Sequence, residues 1–599
     1  MHDYTYIYGI ETNNSNNLVS GISFLYKNSN TMHFISSQEI LLDNIGDCER
    51  NDNVVPPFPG DCEVYPSPFP RAPLLLTMQW NGDIIYVINN HFKAYDEPFL
   101  VLQGKITLDY LLSLGRIDAD LFYREYYSPS YYSLKFLLMQ IFPIKYQIEV
   151  SHIINLIFSL SAIIGIKKLS KELFNENVGK IVFLILFFYP IFFGHMALNS
   201  KDTIVAFSHV WIFYLLIQYV KKQNIKLKAN SHINFIAVLA ALGTGINLFF
   251  LGSLIPIFLF LLIDILFTKK FTCENFSKKK FLIDIGRGFL IFYFLLVIFW
   301  IDTHPNIFVL PFNFFLEWVI GDFWRGYPYI LVNGNYFLYA DIPKSYLFIN
   351  LIYKSPEYFL LTYVIFLIIF LKSNNFFKKK FDYFNYKLLL ITSMIIFPFI
   401  VLFFLHFSLY DGIRHLLWTL PYFCLIPGLT IYYLIENIKS IKAKLTLSLL
   451  SLFIIYFFYN FFLITPYQYT YLNIFNGKIE NRYKKFENDY WGSSIKELIK
   501  KINLDKKRTI TFATCGINQD VAKYYLKKRG YSNFRFGNSK DSNYMIMTNR
   551  VTLNNTNLDH KNKWKSENLI NCFDKYKGED AFKVTRNGVL LSVIRKIKI

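Results

Sequence analysis

The chain has 599 residues, 53% of them hydrophobic, with 63 Phe and 44 Tyr, and a formal net charge of +20. That apolar content excludes an ordinary soluble enzyme and indicates an α-helical, multi-pass membrane protein. The basic excess sits as Lys clusters between hydrophobic runs, the pattern of a cytoplasmic membrane face rather than of a DNA-binding stripe, so nucleic acid is not expected as a partner.

Residues 1–94 form the first expected domain. Leu18–Tyr26, Leu74–Met78 and Ile84–Ile88 carry the alternation or β-branched content of strands, and the Pro and Gly between 56 and 73 mark a loop. The N-terminus has neither a basic n-region nor an apolar h-region, so no signal peptide is visible. Six cysteines are scattered without CxxC or zinc-like spacing, so no structural metal site is expected. Cys48 with Cys62, or Cys515 with Cys572, would suit a disulfide if those regions are extracytoplasmic, and spacing alone does not choose. The stretch Pro68-Phe69-Pro70-Arg71-Ala72-Pro73-Leu74, followed by a strand ending Asn89-Asn90-His91-Phe92, resembles the middle of the endonuclease/exonuclease/phosphatase superfamily. The resemblance implies a role for His91 at a phosphodiester. It covers about a third of such a domain and lacks the acidic metal-holding motifs, so phosphodiester cleavage would lack its Lewis acid.

Asp96 and Glu97 lie on the seam between this polar segment and the membrane part, which is expected to span 95–463. Short amphipathic helices resting on the membrane are expected before residue 150. Ten hydrophobic runs follow, near 150–166, 179–193, 203–221, 232–247, 248–267, 281–300, 356–372, 386–406, 415–435 and 445–463. Several fall short of the roughly 20 residues of a straight span. Lys167/Lys168/Lys171, Lys221/Lys222, Lys269/Lys270/Lys278/Lys279/Lys280, Lys378/Lys379/Lys380 and Lys439/Lys442/Lys444 occupy alternate connections, which the positive-inside tendency assigns to the cytoplasm. Asp96, the loops at 194–202, 301–355 and 406–414, and the tail from 464 are thereby expected together on the extracytoplasmic face. Residues 464–599, with strand-like Arg508–Thr514 and Gly588–Ile594, read as a small α/β domain there.

Four polar clusters mark that face. Asp96-Glu97 is the first, and Gly194-His195-Met196-Ala197-Leu198-Asn199-Ser200-Lys201-Asp202 the second. Tyr410-Asp411-Gly412-Ile413-Arg414-His415 is the third, and Pro466–Asn473 with Asn488-Asp489-Tyr490-Trp491-Gly492 the fourth. Ionisable groups at span ends point to function by default. Asn199, Ser200 and Asp202 also suit helix capping, and the Tyr-rich run suits an interfacial aromatic belt.

Together the clusters, from about Tyr95 to Trp491, resemble glycosyltransferase family 39 and its GT-C relatives, polytopic enzymes that use polyprenyl-phosphate sugars. The resemblance rests on Asp96-Glu97, Lys201-Asp202 and the Asp-Gly-Ile-Arg-His stretch at 411–415. The chain departs from that pattern in having no hydrophobic span immediately before Asp96. The resemblance implies inverting transfer of a sugar from a polyprenyl-phosphate donor to an acceptor hydroxyl of a glycolipid, polysaccharide or protein. Asp96 would be the base and Glu97 its acidic partner. Lys201, Arg414 and His415 would meet the donor phosphate, with His195, Asp202, Asp411 and Asp489 supporting. Asp202 and Glu97 would orient the cations, contact the sugar or hold a divalent ion, Mg²⁺ or Mn²⁺. The competing expectations are a transporter or flippase, which calls for polar residues at mid-span and an internal repeat, and a membrane-tethered phosphodiesterase built on His91.

Overall fold

In the computed structural model, the described residues are 10–13, 18–22, 25–28, 31–34, 76–80, 83–87, 97–116, 128–320, 328–404, 409–554 and 565–597. The chain divides into two compact units, Met1–Tyr86 and Val87–Ile599. In the first, six short strands (Ile10–Asn13, Leu18–Ile22, Leu25–Asn28, Thr31–Phe34, Leu76–Trp80 and Asp83–Val87) pair as three separate two-stranded ribbons. The described residues of this unit form no sheet of more than two strands, and His91, the residue singled out by the phosphoesterase resemblance, lies outside them.

The second unit is a multi-pass helical bundle with a small sheet domain at its C-terminal end. Eight helices are long and apolar enough to cross a membrane: Gln147–Leu173, Asp202–Lys222, Leu227–Ile246, Lys278–Phe299, Glu357–Lys380, Phe384–Phe404, Arg414–Glu436 and Ile441–Leu463. The other two expected spans are present as shorter, broken helices. One breaks between Glu176–Phe187 and Pro190–His195, and the other is Phe250–Ser253 followed by Ile255–Thr268. Each break falls just before Pro190 or Pro256, which can start a helix but whose missing N–H cannot continue the one before. Where short helices resting on the membrane are expected, Glu97–Leu112 and Ser130–Met139 pack on the bundle: Val101 and Met139 share a buried cluster with Ile154. Gly104 permits this approach, since a Cβ there would come within 2.2 Å of the Tyr132 carbonyl oxygen.

Two spans are central. In Asp202–Lys222 and Arg414–Glu436, 78% and 83% of the apolar stretch is buried, against 50% or less in the other six. The outer helices expose Phe, Leu and Ile, as spans in lipid must.

The Lys-rich connections meet at one end of the bundle. Lys171 pairs with Glu176 at 2.7 Å, Lys221 with Glu172 at 2.7 Å and Lys380 with Glu436 at 2.8 Å. Asp264 there accepts from the backbone N–H groups of Lys270 (2.8 Å), Phe271 and Thr272 (both 3.0 Å). Asp202 and Lys222 are the two ends of one helix of 21 residues, so the polar residues around Asp202 lie about 30 Å away at the opposite end.

The C-terminal domain stands at that opposite end. Its five-stranded sheet runs Phe534–Phe536, Ile510–Cys515, Tyr544–Thr548, Val589–Ile597, Gly578–Arg586; the first three strands are parallel, and Val589–Ile597 is antiparallel to both of its neighbours. Period-two alternation sends Ile510 and Phe512 to one face of the sheet, and Ala513 and Cys515 to the other, where Cys515 is bonded to Cys572. The segment between the last span and the sheet is tied to the bundle. Tyr471 donates to Glu357 at 2.8 Å, the Ile474 N–H donates to the same carboxylate at 2.9 Å, and the Asn473 amide donates to the Ser355 carbonyl at 2.9 Å. Glu357 is the first residue of a span, so these bonds fix the domain at the bundle's edge.

Candidate functional site

The two central helices both begin at the domain-facing end, and their first residues are Asp202 and Arg414. Asn199 prepares the first of these starts. Its side-chain oxygen accepts from the Lys201 and Asp202 N–H groups at 3.0 and 2.9 Å, capping the helix, and its amide donates to Asp202 Oδ2 at 2.7 Å. Asp202 is therefore oriented from behind before it meets any cation. The Nε of Arg414 lies 3.6 Å from Asp202 Oδ2.

The second start is shaped by two consecutive left-handed residues, Asp411 at φ +58° and Gly412 at φ +70°. A side chain on Gly412 would be strained and would also meet the Lys354 ammonium at 2.7 Å. This turn folds the Asp411 carboxylate back onto Arg414, three residues on, with Oδ2 3.3 Å from Nη1. The other oxygen, Oδ1, accepts from Arg550 of the C-terminal domain. Arg550 lies 3.5 Å from Glu487, whose Oε1 also accepts from the Val551 N–H at 3.2 Å. Asp411 and Arg414 are each only 3% exposed, so one carboxylate shared by two guanidinium groups is sequestered from water. The Arg414 guanidinium lies over the rings of Tyr410 (4.9 Å to the centroid) and Trp491 (5.3 Å).

His195 ends the short helix Pro190–His195, its Nε2 2.8 Å from the Tyr490 hydroxyl and its ring 5.0 Å from Trp491. Burial raises Glu487, to about 7, against the lowering pull of Arg550, and holds Lys354 down to about 8. His415 turns its ring edge to Tyr410 at 4.5 Å, and its buried Nε2 has no hydrogen-bond partner among the described residues. Lys201 sits half-buried just before the first central helix.

Asp489 is committed elsewhere. Its carboxylate accepts from the Ser493 and Ser494 N–H groups, both at 2.9 Å, from the Ser494 hydroxyl at 2.5 Å and from the Tyr469 hydroxyl. It fixes the turn that presents Tyr490 and Trp491. Asp96 and His91 lie outside the described residues, as does the side chain of Glu97, whose backbone opens the helix Glu97–Leu112. Of the predicted residues, His195, Asp202, Asp411 and Arg414 come together. Arg550, Glu487 and Lys354 join them without having been singled out from the sequence. Lys354 precedes a span by three residues, a placement that marks costly ionisable groups. Arg550 follows a strand with no local pattern that separates it from the domain's other cations.

Among the described residues, no group of three or more His, Cys, Asp or Glu is placed to hold a metal ion. Asp202 and Asp411 face Arg414, and Glu487 faces Arg550. The described residues thus do not fit Mg²⁺ or Mn²⁺, and no step below runs through one.

No family model and no curated protein matches the chain. Solved structures similar to it include ArnT from Cupriavidus metallidurans in the apo state, at TM-score 0.41 and 10% identity over 83% of this chain and 93% of that one. The same protein bound to undecaprenyl phosphate is similar at TM-score 0.40 and 10% identity, over 84% and 94%. The apo oligosaccharyltransferase of Archaeoglobus fulgidus is similar at TM-score 0.41 and 11% identity, over 76% and 66%.

Proposed function

We propose that the chain is a membrane glycosyltransferase that moves a sugar from a polyprenyl-phosphate donor to an acceptor hydroxyl on the extracytoplasmic face, with inversion. The observation that carries this reading is the meeting of Asp202, Asp411, Arg414 and Arg550, drawn from three separated stretches, at the domain-facing end of the two most buried spans. A lipid-linked donor needs an apolar wall for its tail and a cation at the membrane's edge for its phosphate. Arg414, set over two aromatic rings and braced by two carboxylates, meets the second need.

In the proposed reaction the Asp96 carboxylate takes the proton of the acceptor hydroxyl as that oxygen attacks the anomeric carbon. The bond from that carbon to the phosphate oxygen breaks, its electron pair going to the phosphate. The polyprenyl phosphate leaves as an anion, so it needs charge stabilisation more than a proton, and Arg414 with Lys201 supplies it. His195 orients Tyr490 through its contact with that hydroxyl. The Cys515–Cys572 disulfide supports an oxidising, extracytoplasmic setting for the C-terminal domain, in accord with the Lys-rich connections gathered at the other end.

A transporter would call for polar groups available along the spans. His209, well inside a central helix, has both ring nitrogens engaged, with the Tyr422 hydroxyl at 2.6 Å and the Ser253 carbonyl at 3.2 Å. To test the proposal, purified protein in bilayer nanodiscs is incubated with polyprenyl-phosphate sugars and extracted membrane lipids. Transfer frees polyprenyl phosphate and adds a sugar mass to an acceptor. Unchanged donors across nucleotide-free hexose, pentose and aminosugar series would refute it.

A further inference from the structure

We infer that Arg550, from the C-terminal domain, is a positioning residue that sets the orientation and the effective charge of Arg414 by taking one oxygen of their shared partner, Asp411. This rests on the reading of Arg414 as the group that meets the donor phosphate. Asp411 offers two oxygens: Oδ2 lies 3.3 Å from Arg414 Nη1, and Oδ1 accepts from Arg550. Were Arg550 withdrawn, Asp411 would have both oxygens to give, and the planar fork of Arg414 favours bidentate engagement. Arg414 would then swing toward Asp411, away from Asp202 and from the Trp491 face. The charge changes in the same sense. Arg414 faces two carboxylates, Asp202 and Asp411, and an incoming phosphate would meet a guanidinium whose field they offset. Arg550 cancels one of them.

The placement of Arg550 is itself fixed from behind. Glu487 lies 3.5 Å from its Nη1 and is locked by the Val551 N–H. Arg550 abuts the left-handed Gly516, where a Cβ would come 2.5 Å from Arg550 Cβ. Lys354 is a further buried cation of this layer, seated against Gly412 and 5.1 Å from the Phe486 ring centroid. The sheet domain is therefore part of the donor site's construction, and its docking is expected to control donor binding.

The test uses the full chain in detergent and undecaprenyl phosphate as the probe, read as a dissociation constant. Arg414→Ala and Arg550→Ala each weaken binding at least about 10-fold. The double variant is no weaker than Arg414→Ala alone to within about two-fold, because Arg550 acts through Arg414. Arg550→Lys, which keeps the charge but not the fork, recovers part of the loss, an outcome a merely structural role would not give. Should Arg550→Ala fail to fold, Arg550→Gln and Arg550→Lys carry the same comparison, with protection of the buried Cys424 thiol from alkylation as the folding control. Wild-type affinity in Arg550→Ala, or single losses that multiply in the double variant, overturns the inference while Arg414→Ala still weakens binding. No binding by the wild-type chain overturns the functional reading itself.

Discussion

Replacing Arg414 tests the site most sharply, because its removal has two separable consequences. Arg414→Ala takes away the cation that lies 3.6 Å from Asp202 and 3.3 Å from Asp411, both buried or nearly so. Leaving a buried charge without its partner costs about 3–5 kcal/mol of stability. Here Asn199 still donates to Asp202 and Arg550 still donates to Asp411, which puts the loss at about 3 kcal/mol, the lower end of that range. The catalytic loss is larger in proportion. Removing one preorganised group aimed at developing charge lowers kcat by about 10²–10³. Arg414→Lys keeps the charge but loses the fork and the ring stacking, and is expected about 10-fold down with a smaller drop in thermal midpoint. The assay is release of polyprenyl phosphate under kcat/KM conditions, with thermal unfolding in the same detergent as the control. An Arg414→Ala protein that is folded and turns over within about two-fold of wild type would refute the assignment of the phosphate site.

Two further outcomes follow from the packing around this cluster. Glu487 has its folded pKa raised by burial from 4.5 to about 7, so its neutral form is favoured in the fold; the associated stability, about 3 kcal/mol, is present at low pH and is lost as pH rises through about 7. Glu487→Gln is expected to abolish that loss, seen as a thermal midpoint that stays flat from pH 5 to 7.5 where wild type falls; parallel curves would contradict it. Gly194 lies against the backbone of Tyr469, where a Cβ would come 2.3 Å from the amide nitrogen. Gly194→Ala is expected to cost about 1–3 kcal/mol by forcing that segment away, checked by unfolding in detergent.

The bundle was legible because spans are long apolar runs: among the described residues each of the ten expected runs is mostly helical, and the clustering of Lys at alternate connections appears as one Lys-rich end. The broken helices were less visible, since a 12-residue helix such as Glu176–Phe187 and its continuation past Pro190 read as one run. In the site, residues next to spans were found by the cost of placing charge there, which singled out His195, Asp202, Asp411 and Arg414. Arg550 was not, because its role comes from a contact 139 residues away in sequence, and nothing local records it. Asp489 shows the converse: a carboxylate beside Tyr-Trp-Gly looks functional in sequence, yet four hydrogen bonds commit it to a turn.

The central claim is transfer at the membrane's edge with Asp96 as base, and proteoliposomes loaded with a polyprenyl-phosphate sugar test it directly. Wild-type protein is expected to glycosylate an acceptor and free the lipid phosphate. Asp96→Asn is expected to do neither while binding undecaprenyl phosphate with undiminished affinity. Full transfer by Asp96→Asn, or movement of the intact donor across the bilayer with no transfer by wild type, would contradict the account.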